Sequence, residues 1–162
     1  MKRCIIVLLL AGNLVAAAQP KISIADLLPA EGKWMGQLTY LDYTSNKQES
    51  IRATASVAIK RDNLLKLEIY YTDEPSRNGK DVYRIKENGT MINDQKVLER
   101  TLQADGTLKI VLESKGPDGN DHMPATFHHE LVIGKTVFTI TKLVRFDGKD
   151  QFFQRNQYAF SR

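Results

Sequence analysis

From residue 33 onward apolar and polar side chains alternate with a period of two. Trp34, Gly36, Leu38 and Tyr40 share one parity. Ala53, Ala55, Val57 and Ile59 face away from Arg52, Thr54, Ser56 and Lys60. Leu65, Leu67, Ile69 and Tyr71 oppose Lys66 and Glu68; Leu108, Ile110 and Leu112 oppose Lys109 and Glu113; Phe127, His129 and Leu131 oppose Thr126, His128 and Glu130. Successive side chains leave a strand on opposite sides, so this pattern describes sheets with one dry and one wet face. It predicts strands over roughly 33–43, 49–60, 64–72, 81–87, 90–94, 97–103, 107–114, 125–133, 136–146 and 151–161.

Turn dipeptides punctuate these segments: Asn78-Gly79, Asn88-Gly89, Asp105-Gly106, Asp118-Gly119 and Asp147-Gly148. Such pairs tolerate the positive φ of tight hairpins. Short connections make sequence neighbours pair antiparallel as a meander. Longer loops are expected at 73–80 and 115–124, where Gly and Pro gather, and a short turn is expected over Ile24 to Pro29.

A meander with one dry face either folds into a sandwich or closes into a barrel. Closure removes the unpaired edges that invite aggregation. With an even strand count the first and last strands can pair, which brings Phe160 to Arg162 beside Gly32 to Trp34. The expected fold class is therefore all-β, a single antiparallel up-and-down β-barrel of 8–10 strands.

The N-terminus changes the picture of what folds. Lys2 and Arg3 precede the apolar run Ile5 to Leu10, and Ala16-Ala17-Ala18 forms a small-residue cleavage site. This reads as a signal peptide, 1–18, cut between Ala18 and Gln19. The run is too short for a membrane span, which needs about 20 residues. The expectation is a secreted or periplasmic domain over 19–162 with no membrane span in the mature chain. The chain's one cysteine, Cys4, leaves with the leader, which excludes disulfides and thiolate zinc sites from the domain. Loss of Lys2 and Arg3 lowers the formal charge from +4 to +2. Basic and acidic residues interleave without a basic stripe, so no nucleic-acid partner is expected. The pattern specifies no oligomeric state.

The stretch Gly32-Lys33-Trp34 at the mouth of the first strand, with Arg162 at the end of the last, resembles the calycin superfamily of lipocalins and fatty-acid-binding proteins. The resemblance implies that a Gly-x-Trp opens the first strand and that an arginine from the last strand covers the indole at the closed end. Gly32, Trp34 and Arg162 are the expected structural plug. Arg162 matches better than Arg155, because it shares the side of Phe160. Guanidinium over indole is a cation–π contact worth ~0.5–2 kcal/mol. The chain departs from lipocalins in lacking cysteines in its domain, a second family motif and a helix after the last strand.

Candidate chemistry is sparse. His128 and His129 are adjacent on a strand and point to opposite faces, so they cannot chelate one ion; His122 lies in a loop. No nucleophile elbow, His-Glu-x-x-His, P-loop or dinucleotide fingerprint occurs, so no enzymatic activity, metal or cofactor is expected. Asp42 reads as a loop cap with the barrel mouth as its other placement, and Asn88-Gly89-Thr90 as a hairpin turn that is formally a glycosylation sequon. Tyr40, Tyr71, Tyr83 and Tyr158 fall on dry parities. Each offers an apolar ring and one hydroxyl that needs a partner.

Two functional readings stay open. One is a binding protein that holds a small hydrophobic or amphipathic ligand inside the barrel, lined by Leu38, Tyr40, Val57, Leu67, Ile69, Tyr83, Ile110, Phe127, His129 and Tyr158. The other is a side-chain-filled barrel whose loops bind a protein partner in interaction or envelope assembly. A small barrel can be hollow or filled.

Overall fold

The structure, a computed structural model, describes residues 18–162. The predicted leader lies outside the described residues except for Ala18. A helical turn, α1 (Ile24–Leu27), runs into a 3-10 turn over Leu28–Ala30. Ten strands follow: β1 (Gly32–Asp42), β2 (Lys47–Arg61), β3 (Leu64–Tyr71), β4 (Gly79–Lys86), β5 (Met91–Ile92), β6 (Gln95–Leu102), β7 (Leu108–Asp118), β8 (Met123–Ile133), β9 (Val137–Phe146) and β10 (Phe153–Ser161). Each pairs antiparallel with its sequence neighbours, and β10 returns to β1 to close the barrel. In that seam Met35 lies opposite Ser161 and Gly36 opposite Phe160. The architecture is the closed antiparallel up-and-down barrel that the alternation predicted.

The dry parities point inward. Trp34, Ala55, Val57, Leu67, Ile110, Leu112, Ile133, Phe138 and Phe160 form one buried cluster. Thr126 departs from its expected place on the wet face and is buried. It sits in register between Lys115 and Arg145, and long stems on either side take water from so short a side chain.

The expected loop over 115–124 is mostly strand. β7 runs to Asp118 and β8 begins at Met123, with Pro117 opposite Pro124. Pairing of β6 with β7 stops at Glu113, so this edge of β7 is free. A proline costs no ladder bond where its missing N–H would face no neighbour. Gly119 at φ +76° makes the sharp reversal.

The lower end of the barrel is sealed by the segment before β1. Leu27 and Ala30 are buried beneath it. The Ile22 N–H donates to the Gly89 carbonyl at 3.0 Å. Asp26 receives the Ser23 N–H at 2.9 Å and a bidentate pair from Arg100 at 2.6 and 3.1 Å. This segment lies along the lower half of β6.

Among the described residues no such segment covers the upper end beside β4. β5 is two residues long and meets β4 only at Ile85 and Lys86. The upper half of β4, from Gly79 to Arg84, pairs with β3 on one side and with no strand on the other. Beyond the β5–β6 turn the wall therefore has a notch, bounded by β4 and the free edge of β7. The Asn93 side chain partly mimics the missing strand. It donates to the Val82 carbonyl at 2.7 Å and accepts from the Arg84 N–H at 2.9 Å.

Candidate functional site

At the closed end, the plug has the expected members. Trp34 is buried, its Nε1–H donates to the Ala30 carbonyl at 2.7 Å, and its ring meets Phe138 at 5.7 Å. The Arg162 guanidinium lies 4.1 Å from the indole. It also donates to the carbonyls of Pro29 at 2.9 Å, Glu31 at 2.5 Å and Lys135 at 2.9 Å. A guanidinium has five donors in a planar fork, so one side chain can bolt two loops together. Gly32, at φ +121°, leaves that fork its space: a Cβ there would stand 2.6 Å from Arg162 Nη1. Arg155 has another task. It sits in a bulge where the β9–β10 register slips, stacks 4.1 Å from the Tyr43 ring and donates to the Leu41 carbonyl.

The lower half of the barrel is filled, and the upper half is not. A cavity of about 280 Å³ is lined by Leu67, Ile69, Tyr83, Leu131, Ile140 and Tyr158, with Asp81, Val82, Asn93, Gln95, His129, Lys142 and Asn156. It opens at the notch beside β4, where Asp81 and Val82 are exposed. A second cavity of about 350 Å³ is lined by Leu38, Tyr40, Ile51, Tyr71, Glu74, Arg77, Arg155 and Asn156. Asn156 borders both. Between them the hydroxyls of Tyr71 and Tyr158 meet at 2.6 Å.

Two buried side-chain atoms have no hydrogen-bond partner among the described residues, Gln95 Oε1 and His129 Nδ1. Both side chains line the first cavity. They reach it from strands two apart: His129 is opposite Leu112 on β7, and Leu112 is opposite Val97, two residues along β6 from Gln95. Burial first, then the charges of Lys142 and His128, push the His129 imidazole down to about 4. At neutral pH it is uncharged, with one donor and one acceptor nitrogen. Burial also raises the Tyr83 and Tyr158 hydroxyls, and the Asp81 carboxylate adds to both.

Lys142 enters the cavity from β9 but is already engaged. Its ammonium donates to Asp118 Oδ1 at 3.3 Å and lies 4.2 Å from the centre of the Phe127 ring. Tyr43 donates its hydroxyl proton to Asp118 Oδ2 at 2.9 Å and meets Phe153 edge-on. Tyr43, Asp118, Lys142 and Arg155 thus close the upper barrel on the side of β7 to β10.

Of the ten residues expected to line a ligand, Leu67, Ile69, Tyr83, His129 and Tyr158 border the first cavity, and Leu38 and Tyr40 the second. The other three border neither. Val57 and Ile110 are locked into the closed-end core, and Phe127 packs with Ala125 and Val144 in a separate cluster under Phe146 and Phe153. The correction has one cause: parity says which face a side chain takes but not how high along the axis it sits. Asp42 caps the β1–β2 turn, accepting from the Thr44 and Ser45 N–H groups. Asn88 and Gly89 take φ of +53° and +91° in a hairpin turn. Among the described residues no cluster of three or more His, Cys, Asp or Glu gathers to hold a metal, and no helix is long and apolar enough to cross a membrane.

The sequence reading missed Asp81, Gln95, Lys142 and Asn156. Asp81 carried a signal, since it shares the inward parity of Tyr83. Gln95 fell between two expected strands, and a bulge at Arg155 reset the parity of β10.

No family model matches the chain, and no curated protein matches it. Among solved structures it is similar to a mutant of the fluorescent protein UnaG, at 11% identity and a TM-score of 0.37, over 82% of this chain and 94% of that one.

Proposed function

We propose that this is a secreted or periplasmic binding protein that holds a small amphipathic molecule in the upper half of its barrel. One observation carries the reading. Two buried polar atoms without partners, Gln95 Oε1 and His129 Nδ1, belong to side chains that line one cavity. Leaving such a group unsatisfied costs about 1–3 kcal/mol, and natural interiors rarely accept that without a use. Polar groups facing a hollow that also has an aliphatic wall are what a site for an amphipathic small molecule requires. The aliphatic wall of Leu67, Ile69, Leu131 and Ile140 supplies the binding energy, on the order of 25 cal/mol per Å² buried before ordering costs. The polar atoms fix the orientation.

The filled-barrel alternative draws less support. Its main core fills the closed end and a smaller cluster packs under Phe146 and Phe153, which leaves two cavities bordered by β3 and β10, and one of the two loops it assigned to a partner, 115–124, is mostly strand. The test is native mass spectrometry of the protein purified gently from its own host's envelope or medium. The expected result is a reproducible extra mass that disappears on denaturation. An apo mass, together with no uptake of the neutral dye Nile red, overturns the reading.

A further inference from the structure

We propose that the notch-side cavity selects small amines: an ammonium head rich in N–H donors, held by Asp81 and Gln95, on an apolar or aromatic body of one to two rings. The inference rests on the binding reading above and goes further by specifying the head.

Asp81 lies opposite Leu67 in the β3–β4 ladder, and Leu67 is fully buried in the barrel. It shares the inward parity of Tyr83, so a carboxylate faces the interior at the cavity's opening. Among the described residues it makes no ion pair, although nine Lys or Arg pairs with carboxylates are formed elsewhere.

The other unmet groups ask for the same partner. Gln95 Oε1 can only accept a hydrogen bond, and a neutral imidazole offers one acceptor nitrogen. A carboxylate and an amide oxygen together call for a head that donates several bonds, and the imidazole adds a third acceptor in the tautomer that carries its proton on Nε2. An ammonium donates several bonds with its three protons.

The cavity is poorly equipped for the opposite charge. Lys142 is the cationic side chain on its lining, and Asp118 and the Phe127 ring already hold it. A ligand carboxylate would meet Asp81 without a free cation to offset it. The rings of Tyr83 and Tyr158 on the same lining suit a cation further, since an aromatic face attracts positive charge.

Size bounds the body. An apolar cavity of about 150 Å³ accepts one benzene ring, so 280 Å³ suits a one- or two-ring molecule with a short arm. The notch offers an entry that leaves the plug undisturbed.

Three probes share an indole body and differ in the head: tryptamine, tryptophol and indole-3-acetate. Calorimetric titration of the purified protein near neutral pH should show tryptamine binding about tenfold tighter than tryptophol, as a charge-assisted hydrogen bond gives, and indole-3-acetate binding weakest. Asp81→Asn should remove that preference, cutting tryptamine affinity about tenfold while leaving tryptophol nearly unchanged. Gln95→Leu should weaken tryptamine independently, and thermal melts of both variants report their folding. Equal binding of the three heads, a preference for the acetate, or an Asp81→Asn protein that still prefers tryptamine overturns the amine assignment. If Nile red and tryptophol bind in those cases, the binding reading survives without it. If neither they nor tryptamine bind, both fall.

Discussion

The hydroxyls of Tyr71 on β3 and Tyr158 on β10 meet at 2.6 Å inside the barrel, with one cavity on each side of them. This contact is the partition between the two hollows. Tyr158→Phe leaves the Tyr71 hydroxyl without its partner and should lower stability by about 1–2 kcal/mol. The double change Tyr71→Phe with Tyr158→Phe should cost less than the two single changes added, because it leaves no orphan. Urea midpoints of the four proteins give the coupling directly. Strict additivity would mean that the two hydroxyls do not depend on each other.

At the other end of the axis, Arg162 tests how much of the closed end one side chain holds. It covers Trp34 and ties the segment before β1 to the β8–β9 turn through three carbonyls. Arg162→Lys keeps the charge but loses the planar fork, so it should lower stability by roughly 2 kcal/mol. Trp34→Ala removes the buried ring itself and should cost roughly 3–5 kcal/mol. A lysine variant with a wild-type midpoint would reduce the arginine to a surface decoration.

Trp34, its arginine and the closure of β10 onto β1 were legible in the chain because each depends on local facts: parity, turn residues and a three-residue motif. The cavity was legible only in part. Leu67, Ile69, Tyr83, His129 and Tyr158 could be assigned to the interior by alternation, yet Val57 and Ile110 carry the same parity and end in the filled core. Depth along the axis depends on the register between strands and on the stagger of the barrel, which no single segment encodes. The notch was hidden for a similar reason. It exists because β5 stops after two residues, and only the pairing of β4 shows that nothing takes its place. Asp81 and Gln95 acquire meaning from that gap. The β7–β8 extension escaped because prolines in a Gly-rich stretch read as loop unless one knows that the strand edge is free.

Gly36 should be nearly intolerant of a side chain. It faces β10 in the closing seam, and a Cβ there would fall onto the Ala159 carbonyl, with the Phe160 Cα 2.9 Å away. The obstruction is backbone, so no rotamer change relieves it. Gly36→Ala should force the β1–β10 seam apart and cost on the order of 3 kcal/mol, at the upper end for overpacking. Hydrogen exchange should locate the damage. Amides of Gln37 and Ala159 should lose protection before those of β7 and β8. Uniform loss across all strands would mean that closure is not a separable step.

His129 gives the barrel a dependence on pH with a defined sign. An imidazole in the unfolded chain titrates near 6.5, whereas burial first, with Lys142 and His128 adding repulsion, pushes His129 down to about 4. The folded value lies below the unfolded one, so between them it is the unfolded chain that holds the extra proton. Stability should therefore be unaffected by this group above pH ~6.5, fall as the pH drops from there to ~4, and be fully lowered by roughly 3 kcal/mol below that. Carboxylates held low by their partners, such as Asp26 beside Arg100, withdraw their stabilisation as pH falls below the ordinary carboxylate range, so the two windows separate. His129→Gln keeps a polar side chain that does not titrate. Urea midpoints at pH 7, 5.5 and 4.5, chosen to span the histidine window, should fall steeply for the native protein and gently for the variant. Parallel curves would place the titration elsewhere and would mean that His129 meets enough water to take up its proton in the folded barrel.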